Sequence, residues 1–250
     1  MSLRAYALFA QLVWLACWAG AQLLVERMGP AMLPVSLYAF TVGYAALAGV
    51  ALPLWGARRY GLRLSAPTAG GRRGAGIAAL TVAVLAGLFG SGAAQQVVAE
   101  PPSGAVLVKY FFLFAPMAAG ITLHAFFLLP RGLAGPQDHL RPTTLALAVG
   151  VSALSVGAGF WADQLFRSVD LAGVQLVLGL FLGLGAALSR SALWTYFAYL
   201  LIMQFNTLEE AKYFDFPWAP LVAGFIVSTA ALVAYGAATA RTRTRRPPGS

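Results

Sequence analysis

Two adjacent carboxylates, Glu209 and Glu210, are the pair in this sequence that could act together as a general acid and a general base. Two carboxyl groups held side by side can share one proton, and this is what such catalysis uses. However, Lys212 and Asp215 follow within the same short segment. Because charge at this density favours a solvated loop or an interfacial helix, catalysis by the pair is the alternative interpretation.

Polar side chains inside apolar segments form the second group of candidates, because burying them in a bilayer costs several kcal/mol. Lys109 lies about five residues into one such segment, so its long stem can carry the ammonium to the membrane interface. An internal charge partner is the alternative. His124 lies deeper, two residues after Thr122, and a lone histidine at this depth is expected to donate a hydrogen bond between helices.

Amide side chains make up the third group. Interhelical hydrogen bonds are their expected use in a helix bundle, and they are Gln95, Gln96, Gln175, Gln204 and Asn206. No zinc-protease, serine-hydrolase or nucleotide-binding motif is present. Two histidines and one cysteine are too few for most protein metal sites, so we expect no metal, no cofactor and no disulfide framework.

The amino-acid composition indicates that these residues are positioned by transmembrane helices. Of 250 residues, 60% are hydrophobic and only 10% are charged, with a mean hydropathy of +0.75. A water-soluble domain cannot cover that much apolar surface, so the fold class is an all-α, polytopic membrane helix bundle that spans the lipid bilayer. Eight apolar segments are candidate transmembrane helices, at residues 5–26, 31–56, 75–99, 104–129, 142–164, 171–189, 191–207 and 218–239. Only Ser189, Arg190 and Ser191 separate the sixth and seventh segments, which predicts a tight helical hairpin.

Positive charge supports this segment count. With the N-terminus in the cytoplasm, thirteen basic residues fall inside and four outside, the distribution that the positive-inside rule requires. The net charge of +9 therefore indicates membrane orientation rather than nucleic-acid binding. We expect one transmembrane domain over residues 1–250, cytoplasmic termini, a basic tail at 240–250 and a multi-pass location, most simply a bacterial cytoplasmic membrane.

One segment resembles a known family. Residues 114–131 read FAPMAAGITLHAFFLLPR. They are similar to the signature segment of the CAAX-protease and bacteriocin-processing family of glutamate intramembrane proteases. The basic linker at 58–63, the glycine-rich stretch at 178–183 and the Ser-Ala-Leu-Trp of 191–194 are similar to further parts of that family. The resemblance covers about residues 55–207 and implies a protease-like core there.

The resemblance also implies that the catalytic groups are missing. Ala119 and Gly120 stand where the family has its two glutamates, and His124 stands where it has arginine. Ser155 and Gly159 fall at the Phe and His positions of the next helix, while Leu200 and Gln204 fall near the last His and Asn. Without a carboxylate to activate water, we expect no catalytic residue here. We expect instead an empty pocket around the small residues Ala119, Gly120, Ser155 and Gly159, with room for close helix packing or for an apolar ligand.

Three functions remain open from the sequence. The first is a catalytically inactive family member that serves as an accessory or binding subunit for membrane-embedded peptides or for a partner protease. The second is an active intramembrane endopeptidase with a relocated site built from His124, Gln204 and Glu209 or Glu210. The third is a small transporter component in which Lys109, Gln95 and Gln96 line a path.

Overall fold

The protein folds as a bundle of helices in a computed structural model that describes residues 1–28, 47–65, 72–99, 103–135, 141–163, 167, 169–206 and 218–241. The helices are α1 Leu3–Met28, α2 Leu52–Arg59, α3 Arg72–Ala99, α4 Gly104–Ile121, α5 Leu129–Ala134, α6 Pro142–Asp163, α7 Val169–Ser189, α8 Ala192–Asn206 and α9 Trp218–Arg241. A π-helical segment, Thr122–Leu128, joins α4 to α5. The three form one continuous element, which we call the central helix.

Five of these helices are long and apolar enough to cross a membrane. The spans are Leu3–Leu24, Gly104–Ala134, Pro142–Ala162, Ala172–Ser189 and Trp218–Thr239. A shorter apolar helix covers Ala192–Met203. The prediction of an all-helical membrane bundle is therefore confirmed at this level. The second predicted segment, 31–56, lies largely outside the described residues, as do the side chains of the third beyond residue 88.

The central helix is the core of the bundle. In its most apolar stretch 83% of the residues are buried, against 50% or less in each of the other four spans. Its start is capped by Ser103, whose Oγ accepts a hydrogen bond from the backbone N–H of Val106. Farther along, the N–H of Leu129 donates to the carbonyl of His124, five residues back, which is the wide hydrogen-bonding pattern of a π-helix.

A tight hairpin connects α7 to α8, as the sequence predicts. Arg190 has a φ of +53°, the left-handed conformation that reverses the chain at a helix end. The hairpin is held by a second segment: the Ala192 N–H donates to the Leu64 carbonyl at 2.7 Å, and the hydroxyls of Ser65 and Ser191 lie 2.7 Å apart. The linker after α2 therefore fixes the position of the hairpin.

Tyrosine hydroxyls join the same linker to the first residues of α1 and to α9. The Tyr60 hydroxyl donates to the Met1 carbonyl at 2.8 Å, and the Tyr235 hydroxyl of α9 donates to the Leu62 carbonyl at 2.8 Å. The start of α1, the linker at 60–65, the hairpin and the last turns of α9 thus meet at one end of the bundle.

Candidate functional site

His124 lies at 1% exposure in the π-helical segment of the central helix. Its Nε2–H donates to the carbonyl oxygen of Ala48 at 2.9 Å. Ala48 belongs to residues 47–51, which also wind as a π-helix. In an apolar bundle a buried carbonyl that gains a donor avoids a penalty of several kcal/mol. The expectation that His124 donates between helices is therefore confirmed.

An aromatic side chain from α1 covers the imidazole. The rings of Trp14 and His124 are stacked, with centroids 5.1 Å apart and planes inclined by 13°. Trp18, one helical turn farther along α1, packs against Trp14 at 4.8 Å and against Phe160 of α6 at 5.3 Å. Both tryptophans are fully buried. The two indoles thus fill the space between α1, the central helix and α6.

Two glycines make room for these indoles. A Cβ placed on Gly159 would lie 2.8 Å from Cζ3 of Trp18 and 3.0 Å from Cη2 of Trp14. A Cβ on Gly120 would lie 3.4 Å from Nε1 of Trp14 and 3.3 Å from the Cα of Gly49. The space at Gly120 and Gly159 is therefore not empty. Of the two uses expected for it, the structure shows close helix packing, with large side chains supplied by α1.

The other described candidate positions in this region are buried, and no carboxylate among the described side chains lies beside them. Ala119 and Leu200 are apolar and at most 1% exposed. Within the described part of the chain, Oγ1 of Thr122, Oγ of Ser155 and Nδ1 of His124 have no hydrogen-bond partner. Nδ1 is the acceptor nitrogen of the ring when Nε2 donates, so His124 is the one described group here with the character of a base.

Gln11 is a buried polar residue that the sequence reasoning did not single out. It precedes Trp14 by three residues, so it lies on the same face of α1, and it is 7% exposed. Neither atom of its amide has a hydrogen-bond partner among the described residues. The sequence contained a pattern that could have identified this buried face, because Gln11, Trp14 and Trp18 recur at helical spacing in the first apolar segment.

Lys109 lies near one end of the central helix, where its ammonium sits 5.3 Å from the ring centroid of Trp218. Trp218 begins α9 and is 43% exposed. Tryptophans concentrate at membrane interfaces, so this contact agrees with an ammonium that extends to the interface. It gives no support to a path through the bundle.

The remaining candidates fall outside the described part of the structure. They are Glu209 and Glu210, and the side chains of Gln95, Gln96, Gln204 and Asn206. Gln175, in contrast, is half-buried on α7. The described residues contain no group of three or more histidine, cysteine, aspartate or glutamate side chains that could hold a metal ion.

The chain was compared with protein-family models, curated proteins and solved structures, and none of them matches it. The resemblance of residues 114–131 to the CAAX-protease segment therefore remains a hypothesis from the sequence. What the fold adds is the surroundings of those residues, namely the bond from His124 to Ala48 and the stacked Trp14.

Proposed function

We propose that this protein is a non-catalytic membrane subunit of the CAAX-protease-like type, which binds membrane-embedded peptides or assists a partner protease. One observation carries the proposal. Trp14 packs against His124, Gly120 and Gly159, the positions at which the resembled family places its catalytic groups.

Chemistry supports this choice over an active peptidase. Peptide hydrolysis needs a water molecule and a base that activates it, and a glutamate protease uses carboxylates for this purpose. Here the corresponding residues Ala119 and Gly120 carry no functional group, and His124 uses its Nε2–H on a backbone carbonyl. The indole of Trp14 occupies volume that a catalytic water and a scissile bond would need.

The proposal includes eight spans with both termini in the cytoplasm, in a bacterial cytoplasmic membrane. The contrast between the two ends of the bundle supports this orientation. The end formed by the linker at 60–65 carries an excess of arginine, whereas the far end of α1 holds Glu26 in a two-point ion pair with Arg167, at 2.8 and 3.2 Å. Arginine accumulates on the cytoplasmic side of membrane proteins.

The outer surface of α9 is the part of the bundle on which we expect a partner to bind. Only 22% of the apolar stretch of α9 is buried. Ile226 and Val227 are about half exposed, while Leu232 on the same helix is fully buried. Exposed apolar side chains on a peripheral span contact either lipid or another membrane segment.

Photo-crosslinking in the native membrane, combined with gene deletion, tests the proposal. A photoreactive amino acid at Ile226 should form an adduct with a discrete membrane protein or peptide, and the matched control at Leu232 should not. The same partner should change in abundance or processing when the gene is deleted, and wild-type complementation should reverse the change. The proposal fails if no partner meets both criteria, or if the purified protein alone cleaves a membrane peptide.

A further inference from the structure

Arginine is concentrated at the end of the bundle where the start of α1, the linker at 60–65, the hairpin and the last turns of α9 meet. We call this the arginine end, and its arginines include Arg4, Arg58, Arg59, Arg63, Arg131 and Arg190. Among the side chains that the structure describes, the one carboxylate is Glu26. It lies 22 residues along α1 from Arg4, about 33 Å away in a regular helix, and it is paired with Arg167.

Arg59 is held on an aromatic platform within this end. Its guanidinium carbon lies 5.5 Å from the ring centroid of Trp55 and 5.9 Å from that of Tyr60. Tyr6 braces the platform, because its ring is 5.6 Å from both of these rings and its hydroxyl donates to the Leu52 carbonyl at 2.6 Å. The guanidinium is therefore pre-positioned, which lowers the entropy that binding would cost.

Solvent or lipid can reach this platform. Trp55 is 54% exposed, and Arg58, Arg59 and Arg63 are all exposed. Tryptophan and tyrosine are enriched where a membrane protein meets the headgroup layer, and arginine accumulates on the cytoplasmic side. A planar guanidinium offers two parallel N–H donors to phosphate oxygens, and neighbouring arginines add attraction to an anionic leaflet.

We propose that Arg59, on its platform of Trp55 and Tyr60, binds the phosphate of an anionic phospholipid headgroup together with Arg58 and Arg63. The lipid's acyl chains lie along the bundle beside Trp55. This assignment does not rest on the accessory function proposed above, since a lipid of this kind could serve any role of the bundle.

The conservative variant Arg59→Lys distinguishes lipid binding at a defined site from general attraction to the positive charge of this end. Lysine keeps the charge but loses the fork of donors and the flat stacking on Trp55. A diffuse attraction would be unchanged in this variant, whereas a site should weaken. Arg27→Lys, an exposed arginine at the opposite end of α1, is the matched control.

The experiment measures lipid binding to the purified full-length protein by native mass spectrometry, with phosphatidylglycerol and phosphatidylcholine of equal chain length as probes. We expect the wild-type protein to hold one phosphatidylglycerol molecule tightly and to hold no phosphatidylcholine in the same way. The affinity for phosphatidylglycerol should be about tenfold weaker in Arg59→Lys and unchanged in Arg27→Lys. Trp55→Leu, which keeps every charge, should also weaken binding. Thermal unfolding of each variant confirms that it is folded.

Three results would overturn the proposal. These are equal binding of the two lipids, wild-type affinity in folded Arg59→Lys, and full displacement by soluble glycerol 3-phosphate at matched concentration. The last result would mean that the site takes a free phosphate compound rather than a lipid. If Arg59→Lys is unfolded, Trp55→Leu decides in its place, and wild-type affinity in that variant would reject the site.

Discussion

The Nε2–H of His124 lies 2.9 Å from the carbonyl oxygen of Ala48 and joins two segments that both wind as π-helices. π-Helical turns are rare; most are single turns inside α-helices, and they are frequent at functional sites. Here the wide turn of the central helix carries a histidine that reaches a neighbouring backbone. The most deeply buried titratable residue of segment 114–131 thus helps to hold the bundle together.

Replacing His124 with Phe should destabilise the bundle. Phenylalanine keeps a ring against Trp14 but removes the donor, and this leaves the Ala48 carbonyl without its side-chain partner in an apolar environment. We expect a loss of about 1–3 kcal/mol in the free energy of unfolding, measured in mixed detergent micelles. His124→Gln again offers an N–H to the Ala48 carbonyl and should recover part of the lost stability. Equal stability of His124→Phe and wild type would contradict this assignment.

Gly159→Ala tests whether Trp14 and Trp18 fill the predicted pocket. The new methyl would lie within 3.0 Å of both indoles, so the indoles or the helices that carry them must shift. We therefore expect a loss of about 1–3 kcal/mol in the free energy of unfolding. Gly150→Ala on the same helix is the control, because no atom lies within 4 Å of the added methyl there. It should leave stability unchanged or slightly raised. If the two variants behave alike, the indoles do not occupy this space.

Introducing a glutamate at Gly120, where the resembled family has one of its two glutamates, should damage the fold without creating activity. Gly120→Glu places a large polar group against Trp14 and the backbone of Gly49, so the protein should lose stability. Trp14→Ala in the same chain provides space, and the double variant should lose less stability than the sum of the two single changes. Cleavage of a membrane peptide by either variant would show that the scaffold retains latent catalytic groups.

The helical membrane class, the hairpin around Arg190 and the interhelical use of His124 followed from composition, spacing and depth in an apolar segment. The sequence did not predict that side chains of α1 fill the space at Gly120 and Gly159. Which helix packs between α4 and α6 depends on contacts between distant parts of the chain, and residues 114–131 contain no information about α1. Local periodicity did mark a buried face through Gln11, Trp14 and Trp18, yet it could not identify the glycines that this face meets.

The π-helical winding also could not be predicted from the sequence. Residues 122–128 are an ordinary apolar helical stretch, and propensity alone favours regular α-helix there. The wide turn accompanies a hydrogen bond to Ala48, which is 76 residues away in the chain. A feature that depends on a partner so distant is decided by tertiary packing.

The pair Ser65 and Ser191 should contribute measurably to the position of the hairpin. Their hydroxyls are 2.7 Å apart and partly buried, so a double-alanine cycle should give a coupling free energy of about 0.5–1.5 kcal/mol. Ser228 bonds to the Gly224 carbonyl of its own helix at 2.7 Å and serves as the control partner. A cycle between Ser65 and Ser228 should give no coupling. Zero coupling in the first cycle would mean that the hydroxyl pair does not help to hold the hairpin, and that the backbone bond from Ala192 to Leu64 holds it without them.

The central claim is that the protein acts without catalysing peptide cleavage, and complementation with carboxylate variants tests it most directly. A deletion strain would receive either the wild-type gene or the Glu209→Gln, Glu210→Gln double variant, and the membrane proteome would be compared at equal protein levels. We predict that the double variant restores every affected membrane protein as fully as wild type does. Failure of the equally abundant double variant to restore processing would contradict the claim and favour a relocated active site at these glutamates.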